Sequence, residues 1–386
     1  MSDSISNVTE VDELEIGDQI GAGGQATVYR LRSHRQMLFK QYRLDRVDSD
    51  ALDRLVEWRH GLNSGDRELL DRSASWVQSR VVSKEGKTVG VLIPEAPSRF
   101  YIEVRGKTRL NEIQYLAFGE RASKLGLHVP GPGVRAEVIA SIADLFEMFD
   151  RHRIVHGDMS FKNLLWTVRP EPAAYLLDCD CAHIGRHPGA LPQVTTQHWT
   201  DPRVQDRKIR LPDVDSDRLA IGLLFFRTYF QVRANFTGME LRFEIPSEPK
   251  LNRSTEKLIN NTLHSQSGRS PAVEWQKVRD LHTFLLENSG SSPHAESNTK
   301  PSADRGSLRT YRTAAALSTP PAYDPNRTAS DGSSLVGNRQ QVAANANVGS
   351  QTVPKARRSG RAVRALVLLN VVLATVFVTL LILGRV

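Results

Sequence analysis

His156-Gly157-Asp158-Met159-Ser160-Phe161-Lys162-Asn163 is the stretch whose reading decides the fold. It follows an apolar run at helical spacing (Val138, Ile139, Ile142, Leu145, Phe146, Phe149), which predicts a helix over 134–151. It precedes a strand-like Leu164-Leu165-Trp166. An Asp followed five residues later by an Asn suits a loop that handles phosphoryl groups. The carboxylate takes or orients the proton of an attacking hydroxyl, and the amide oxygen reaches a metal bound to the nucleotide. Such residues are common in loops, so the meaning of the octet depends on whether the other necessary parts flank it in order.

Upstream, residues 15–30 alternate apolar and polar residues around Gly21-Ala22-Gly23-Gly24, which reads as a strand–turn–strand hairpin. Glycines let a backbone approach phosphates and aim its N–H groups at them. A dinucleotide-binding fold would place them between a strand and a helix instead. Lys40 follows on a predicted strand at 36–42. A phosphate-pairing lysine needs a carboxylate to hold it; Glu57, on a predicted helix at 48–60, is the first candidate and Glu68 the second. Two further strands are expected at 76–82 and 87–93. They lead into Ile93-Pro94-Glu95-Ala96-Pro97, where the Pro94 carbonyl and the Ala96 N–H remain available to a purine edge. A single helix is expected within 105–123, and Pro130-Gly131-Pro132-Gly133 breaks the chain before the next one.

Downstream, Ala174-Tyr175-Leu176-Leu177-Asp178-Cys179-Asp180 reads as a strand ending in two acids. Asp178 is the first choice for a Mg²⁺ ligand and Asp180 the alternative. Cys179 and Cys181 read as small buried residues; the competing readings are a redox pair or metal ligands with His183 and His187. Residues 215–226 predict a buried helix with Asp217 at its start, capping it and bracing the loop at His156.

Taken together, the glycine-rich hairpin, Lys40, Asp158 with Asn163, Asp178 and Asp217 resemble the protein-kinase superfamily over about 16–287. The likeness is to bacterial proteins related to eukaryotic-type Ser/Thr kinases, with an H-G-D catalytic loop. The resemblance implies an α+β, two-lobed protein kinase-like fold, with a small β-rich lobe over 14–97 and a larger helical lobe over 98–288. It implies ATP and Mg²⁺ as cofactors and Ser/Thr on protein substrates, including the chain itself, as acceptors. Asp158, Lys162 and Lys40 would be catalytic. Gly21, Gly23, Gly24, Val28, Lys40, Glu57, Glu95 and Ala96 would bind ATP, and Asn163 and Asp178 the metal. Some positions depart from the pattern. Ser160 stands where a Lys is usual, with Lys162 two places later. Gly157 replaces an Arg that would bind a loop phosphate. Arg203, after Pro202, replaces a Glu whose ion pair to a later Arg cannot then form unchanged. The alternatives are a small-molecule phosphotransferase of the same fold and a non-catalytic scaffold.

The chain has 386 residues with a net charge of +8, and the excess is concentrated in Lys355, Arg357, Arg358, Arg361 and Arg364. No basic stripe interleaved with aromatics precedes that tail, which argues against nucleic acid as a partner. The two cysteines, two residues apart, exclude a disulfide framework. Residues 1–13 read as a flexible polar tail. Residues 289–364 are rich in Ser, Pro, Asn, Ala and Gly and read as a disordered linker. Residues 365–383 are almost wholly apolar and long enough for a bilayer core of about 30 Å. With basic residues on the upstream flank, they predict a single-pass, tail-anchored membrane protein whose kinase-like domain is cytoplasmic.

Overall fold

The computed structural model describes residues 6–289 apart from 45, 194, 195, 238 and 239. The linker and apolar span expected beyond residue 289 lie outside the described residues. Among those described, no helix is long and apolar enough to cross a membrane.

The architecture is mixed α+β. Strands β1 (Val8–Glu10), β2 (Ile16–Ala22), β3 (Ala26–Leu31) and β4 (Met37–Tyr42) come first. Helices α1 (Ser49–Gly61) and α2 (Ser64–Ser73) follow, then strands β5 (Ser79–Val82) and β6 (Thr88–Pro94). The six strands form one sheet in the order β1-β5-β6-β4-β3-β2, antiparallel except for the β1–β5 pair. Most of the expected tail is therefore not loose: Val8, Thr9 and Glu10 pair with Arg80, Val81 and Val82, and Thr9 and Ser79 share a hydroxyl hydrogen bond of 2.8 Å. An exposed sheet edge offers unpaired backbone groups, and β1 covers them on β5.

The single helix expected within 105–123 is not formed. Residues Tyr101–Val104 (β7) and Lys107–Leu110 (β8) make a hairpin, with Arg105 (φ 52°) and Gly106 (φ 71°) at its turn. Two short helices follow, α3 (Gln114–Ala117) and α4 (Gly119–Lys124). An Arg-Gly pair in left-handed backbone suits the tight turn that matches strand twist, and this overrides the helical spacing of the apolar residues.

Helix α5 (Pro132–His152) is the spine of the second half, with Pro132 in its first turn and Arg153 (φ 57°) ending it. Its buried face carries Ile139, Ile142, Leu145, Phe146 and Phe149, as the spacing predicts. Strands β9 (Ile154–Val155), β10 (Leu164–Thr167), β11 (Ala173–Leu176) and β12 (His183–Ile184) form two small antiparallel pairs, β9–β12 and β10–β11, which frame the His156 loop. The short helix α6 (Pro202–Gln205) then leads to α7 (Val214–Tyr229), buried along nearly all of its length. Trp58, Trp76 and Phe149 cluster with ring centroids 4.8–6.3 Å apart, joining α1 and the approach to β5 to α5 in one core.

Arg203 does not leave the later arginine unpaired. Asp201, two residues earlier and fully buried, accepts from Arg269 Nη1 at 2.7 Å, and Arg203 bridges Asp201 and Asp213. Burial pushes the Asp201 carboxyl up, and Arg203 and Arg269 together hold it below the usual carboxylate range. Breaking a buried pair leaves an uncompensated charge, so Asp201→Asn is expected to lose about 3 kcal/mol of stability. Urea unfolding measures this, and a midpoint unchanged at constant slope would contradict it.

Candidate active site

The His156 loop is held from below. Asp217 is buried, and its two carboxylate oxygens accept the N–H groups of His156 (2.7 Å) and Gly157 (2.9 Å). Burial pushes its pKa up to about 7, and the two N–H donors act against that rise. The bracing expected of Asp217 is present, but the cap is not: Asp213 caps α7, in a reciprocal pair with Ser216. Gly157 has φ 75°, and a Cβ there would meet Pro212 at 3.1 Å, so the backbone itself asks for glycine at this position. His156 is fully buried, which holds its pKa down. Its Nδ1 accepts from the Asp158 N–H, and Nε2 lies 3.2 Å from the Leu177 carbonyl. That network assigns a neutral ring with the proton on Nε2.

Asp158 opens into a cleft of about 420 Å³ with the glycine-rich turn, Val28, Lys40, Asp178 and Asp180. Burial, with the Asp178 charge adding to it, pushes the Asp158 carboxyl up to about 6, against the hydrogen bond it accepts from the Thr196 hydroxyl at 2.9 Å. Asn163 donates Nδ2 to the Asp158 carbonyl (2.8 Å), and its own carbonyl accepts from the Leu177 N–H, tying the loop to the Asp178 segment. The turn between β2 and β3 is closed by Gly23 N–H to the Ala26 carbonyl (2.8 Å). It is tethered by Arg43 to the Gly23 carbonyl and by Gln25 to the Pro192 carbonyl across the cleft.

Lys40 lies on β4 between Val28 and Val91, as its place on a strand predicts. Its partners are not the ones expected. Nζ donates to Asp178 (2.9 Å) and Asp180 (2.6 Å), while Glu57 is exposed on α1 and Glu68 is exposed beside Arg72. The side of α1 that faces the core carries Leu52, Leu55 and Val56, which turns Glu57 to solvent. Burial opposes the Lys40 charge, but the two carboxylates outweigh it and hold the ammonium pKa above its ordinary value. Tyr42 completes the cluster by donating to Asp180 at 2.9 Å. Strand alternation places Lys40 and Tyr42 on one face, a signal present in the sequence and not used above.

The two acids also differ from the sequence reading. The strand ends at Leu176, and Asp178 stands in left-handed backbone (φ 55°) before a 3₁₀ turn at Cys179–Cys181. The Asp178 side chain is 52% exposed, that of Asp180 only 2%. Asp178 therefore offers a carboxylate to the cleft, while Asp180 is committed to Lys40 and Tyr42. Burial, with the nearby carboxylates, pushes both cysteine thiols well above their ordinary pKa. Among the described residues no group of three or more His, Cys, Asp or Glu could hold a metal ion by itself. Asp178 lines the cleft and Asn163 does not; a carboxylate and an amide oxygen are among the oxygens that Mg²⁺ takes together with phosphate oxygens and water.

Besides Glu57, three expected site residues stand elsewhere. Lys162 is exposed and does not line the cleft; its charge acts on Glu112. Glu95 and Ala96 line a separate cavity of about 780 Å³ with Pro94, Tyr101 and Tyr175. There Glu95 is occupied by Arg30 (2.8 Å) and the Tyr101 hydroxyl (3.1 Å), and the Pro94 carbonyl already accepts from Ser75. Thr196 and Tyr42 are the site residues that the sequence reading missed. Comparison of the chain with protein-family models and with curated proteins finds no match.

Proposed function

We propose that the chain is an ATP- and Mg²⁺-dependent protein kinase of two-lobed, kinase-like fold that phosphorylates Ser or Thr on protein substrates and is tethered to a membrane through residues 365–383. The observation that carries this reading is the Thr196 hydroxyl donating at 2.9 Å to the carboxylate of Asp158, which lines the cleft of the glycine-rich turn. A carboxylate placed to accept a hydroxyl proton beside a phosphate-binding turn is what phosphoryl transfer to an alcohol needs.

In the proposed reaction the acceptor hydroxyl replaces that of Thr196 on Asp158. Its oxygen bonds to the γ-phosphorus, the bond to the bridging oxygen of ADP breaks, and the hydroxyl proton passes to Asp158. Lys40 lies on the cleft wall as a phosphate clamp, and the turn at Gly21, Gly23 and Gly24 lets the phosphates come close to the backbone. Bound at Asp178 and Asn163, Mg²⁺ would neutralise charge on the phosphates.

Incubating the full chain with γ-labelled ATP and Mg²⁺ tests this, with Asp158→Ala as control. Label on protein supports it. Turnover only with a small-molecule acceptor supports a small-molecule phosphotransferase, and no Asp158-dependent turnover supports a non-catalytic scaffold. The rate should also report the elevated carboxyl. The base must be ionised, so kcat/KM is expected to fall as pH drops through about 6, well above the range of an ordinary Asp. Thr196→Val removes a donor that favours the ionised form, so the acid limb should move to higher pH. A limb near 4, or one that Thr196→Val leaves in place, contradicts the assignment.

A further inference from the structure

Two cavities beside the catalytic loop share one wall residue, Phe118. The first, of about 370 Å³, is lined by Arg105, Lys107, Arg109 and Arg121, with Tyr115 and Phe118. The second, of about 250 Å³, is lined by Phe118, Phe161, Trp199, Arg227 and Arg233. Phe161 belongs to the loop itself, three residues after Asp158, and packs edge-on against both Phe118 (5.2 Å) and Trp199 (4.8 Å).

Among the described residues the charges in this region have few counterions, the charge of Arg109 on Glu112 being the exception. Among the described residues, none of Arg105, Lys107, Arg109, Arg121 and Arg233 makes a hydrogen bond or ion pair with an acid. The neighbouring acids are engaged elsewhere: Glu103 accepts from Thr108, Glu112 from Gln114, and Glu120 pairs with Lys124. Arg227 is the sharpest case. It is 4% exposed and stacks over Trp199 at 4.5 Å, and it donates only to the carbonyls of His198 and Ala234. Among the described residues its Nη1 has no partner, and it has no carboxylate partner. Burial alone pushes its pKa down to about 10. A buried cation without an anion is expensive, and six cations gathered along one path repel one another.

Resting on the kinase reading above, we propose that this path is the substrate groove and that it recognises an acidic polypeptide segment flanking the phosphoacceptor residue. The aromatic floor takes apolar side chains next to the acceptor, and the cations take Asp and Glu beyond them. Single-stranded nucleic acid fits less well, because it needs free ring faces for stacking. Here Arg227 lies over Trp199, Arg233 lies over Phe118, and the rings meet edge to face. A lipid headgroup fills one pocket, whereas two cavities that meet at Phe118, one of them lined by Phe161 of the catalytic loop, suit an extended chain. The inference also bears on self-phosphorylation. Between residues 289 and 360 the acids are only Glu296, Asp304, Asp324 and Asp331, so the preferred acceptor is another protein.

The test uses the full chain and a matched pair of Ser-containing peptides, one flanked by Asp and Glu and one by Asn and Gln. Binding is read by fluorescence anisotropy on Asp158→Asn protein, which does not require catalysis, and phosphoryl transfer is read on the unaltered chain. The acidic peptide is expected to bind and react about tenfold better, with the preference fading as salt rises. The exposed pair Arg105→Glu and Arg109→Glu should abolish the preference for the acidic peptide, with the urea unfolding midpoint unchanged. Acid-selective binding without transfer leaves the groove standing and removes the kinase reading; transfer without acid preference removes the groove and leaves that reading. Tighter charge-dependent binding of a thymidine oligonucleotide, or of phosphatidylserine vesicles, than of the acidic peptide would also overturn the proposal.

Discussion

Replacing Asp158 by Asn is expected to lower kcat for phosphoryl transfer by about 10²–10⁴-fold, the span of a positioned general base, while leaving the fold intact. The amide keeps the shape and can still pair with the Thr196 hydroxyl, but it cannot take a proton. It also removes a half-buried carboxylate from beside Asp178, whose charge helps raise the Asp158 pKa. Nucleotide affinity should therefore hold or rise while turnover collapses. Single-turnover kinetics with labelled ATP, set beside equilibrium binding of a nucleotide analogue, separates the two quantities. A variant that keeps more than a tenth of the rate would remove Asp158 from the proton-accepting role.

Asp180→Ala is expected to harm both stability and activity. Two groups depend on the Asp180 carboxylate, the Lys40 ammonium at 2.6 Å and the Tyr42 hydroxyl at 2.9 Å, and both are buried. Asp178 remains as a second anion for Lys40, which limits the loss, whereas the Tyr42 hydroxyl is left with no acceptor. We expect a loss of about 3 kcal/mol in urea unfolding, between an orphaned hydroxyl alone and a fully broken buried ion pair. For activity, Lys40 then has Asp178 as its sole anion, and Asp178 is the carboxylate assigned to Mg²⁺. The Mg²⁺ concentration for half-maximal activity should rise together with KM for ATP. Asp178→Ala should instead abolish turnover with little change in stability, since its side chain is half exposed. If the two variants behave alike in unfolding and in Mg²⁺ dependence, the division of labour between the two acids is wrong.

That division accounts for a departure that only the structure brings out. Where the kinase likeness expects a helix glutamate to hold Lys40, α1 offers only an exposed Glu57. The second acid of Asp178-Cys179-Asp180 supplies the missing anion from the other side of the cleft. It does so because the chain leaves its strand at Leu176 and turns at Asp178. Two residues that a continuing strand would place on one face therefore share Lys40 but differ in exposure, and only Asp180 also meets Tyr42.

Local pattern alone determined much of this protein. The periodicity of 134–151 set the central helix, and alternation around Gly21–Gly24 set the hairpin. The spacing of Asp158 to Asn163 marked the loop, and the buried run after Asp217 marked α7. Each of these depends on burial repeating at a fixed interval, or on glycine where backbone must turn or come close, and both can be read from neighbouring residues. Contacts between distant segments were decided only by the tertiary structure. Lys40 and Asp180 are 140 residues apart, Thr196 and Asp158 are 38 apart, and Asp201 and Arg269 are 68 apart. Side-chain type allowed each of these pairs, and several others, so the choice fell to which groups share a dry space. The same holds for the cationic groove. Its charges come from the β7–β8 hairpin, from α4, from α7 and from the segment after α7. No stretch of sequence is basic enough to announce it, and only packing around Phe118 makes those charges one surface.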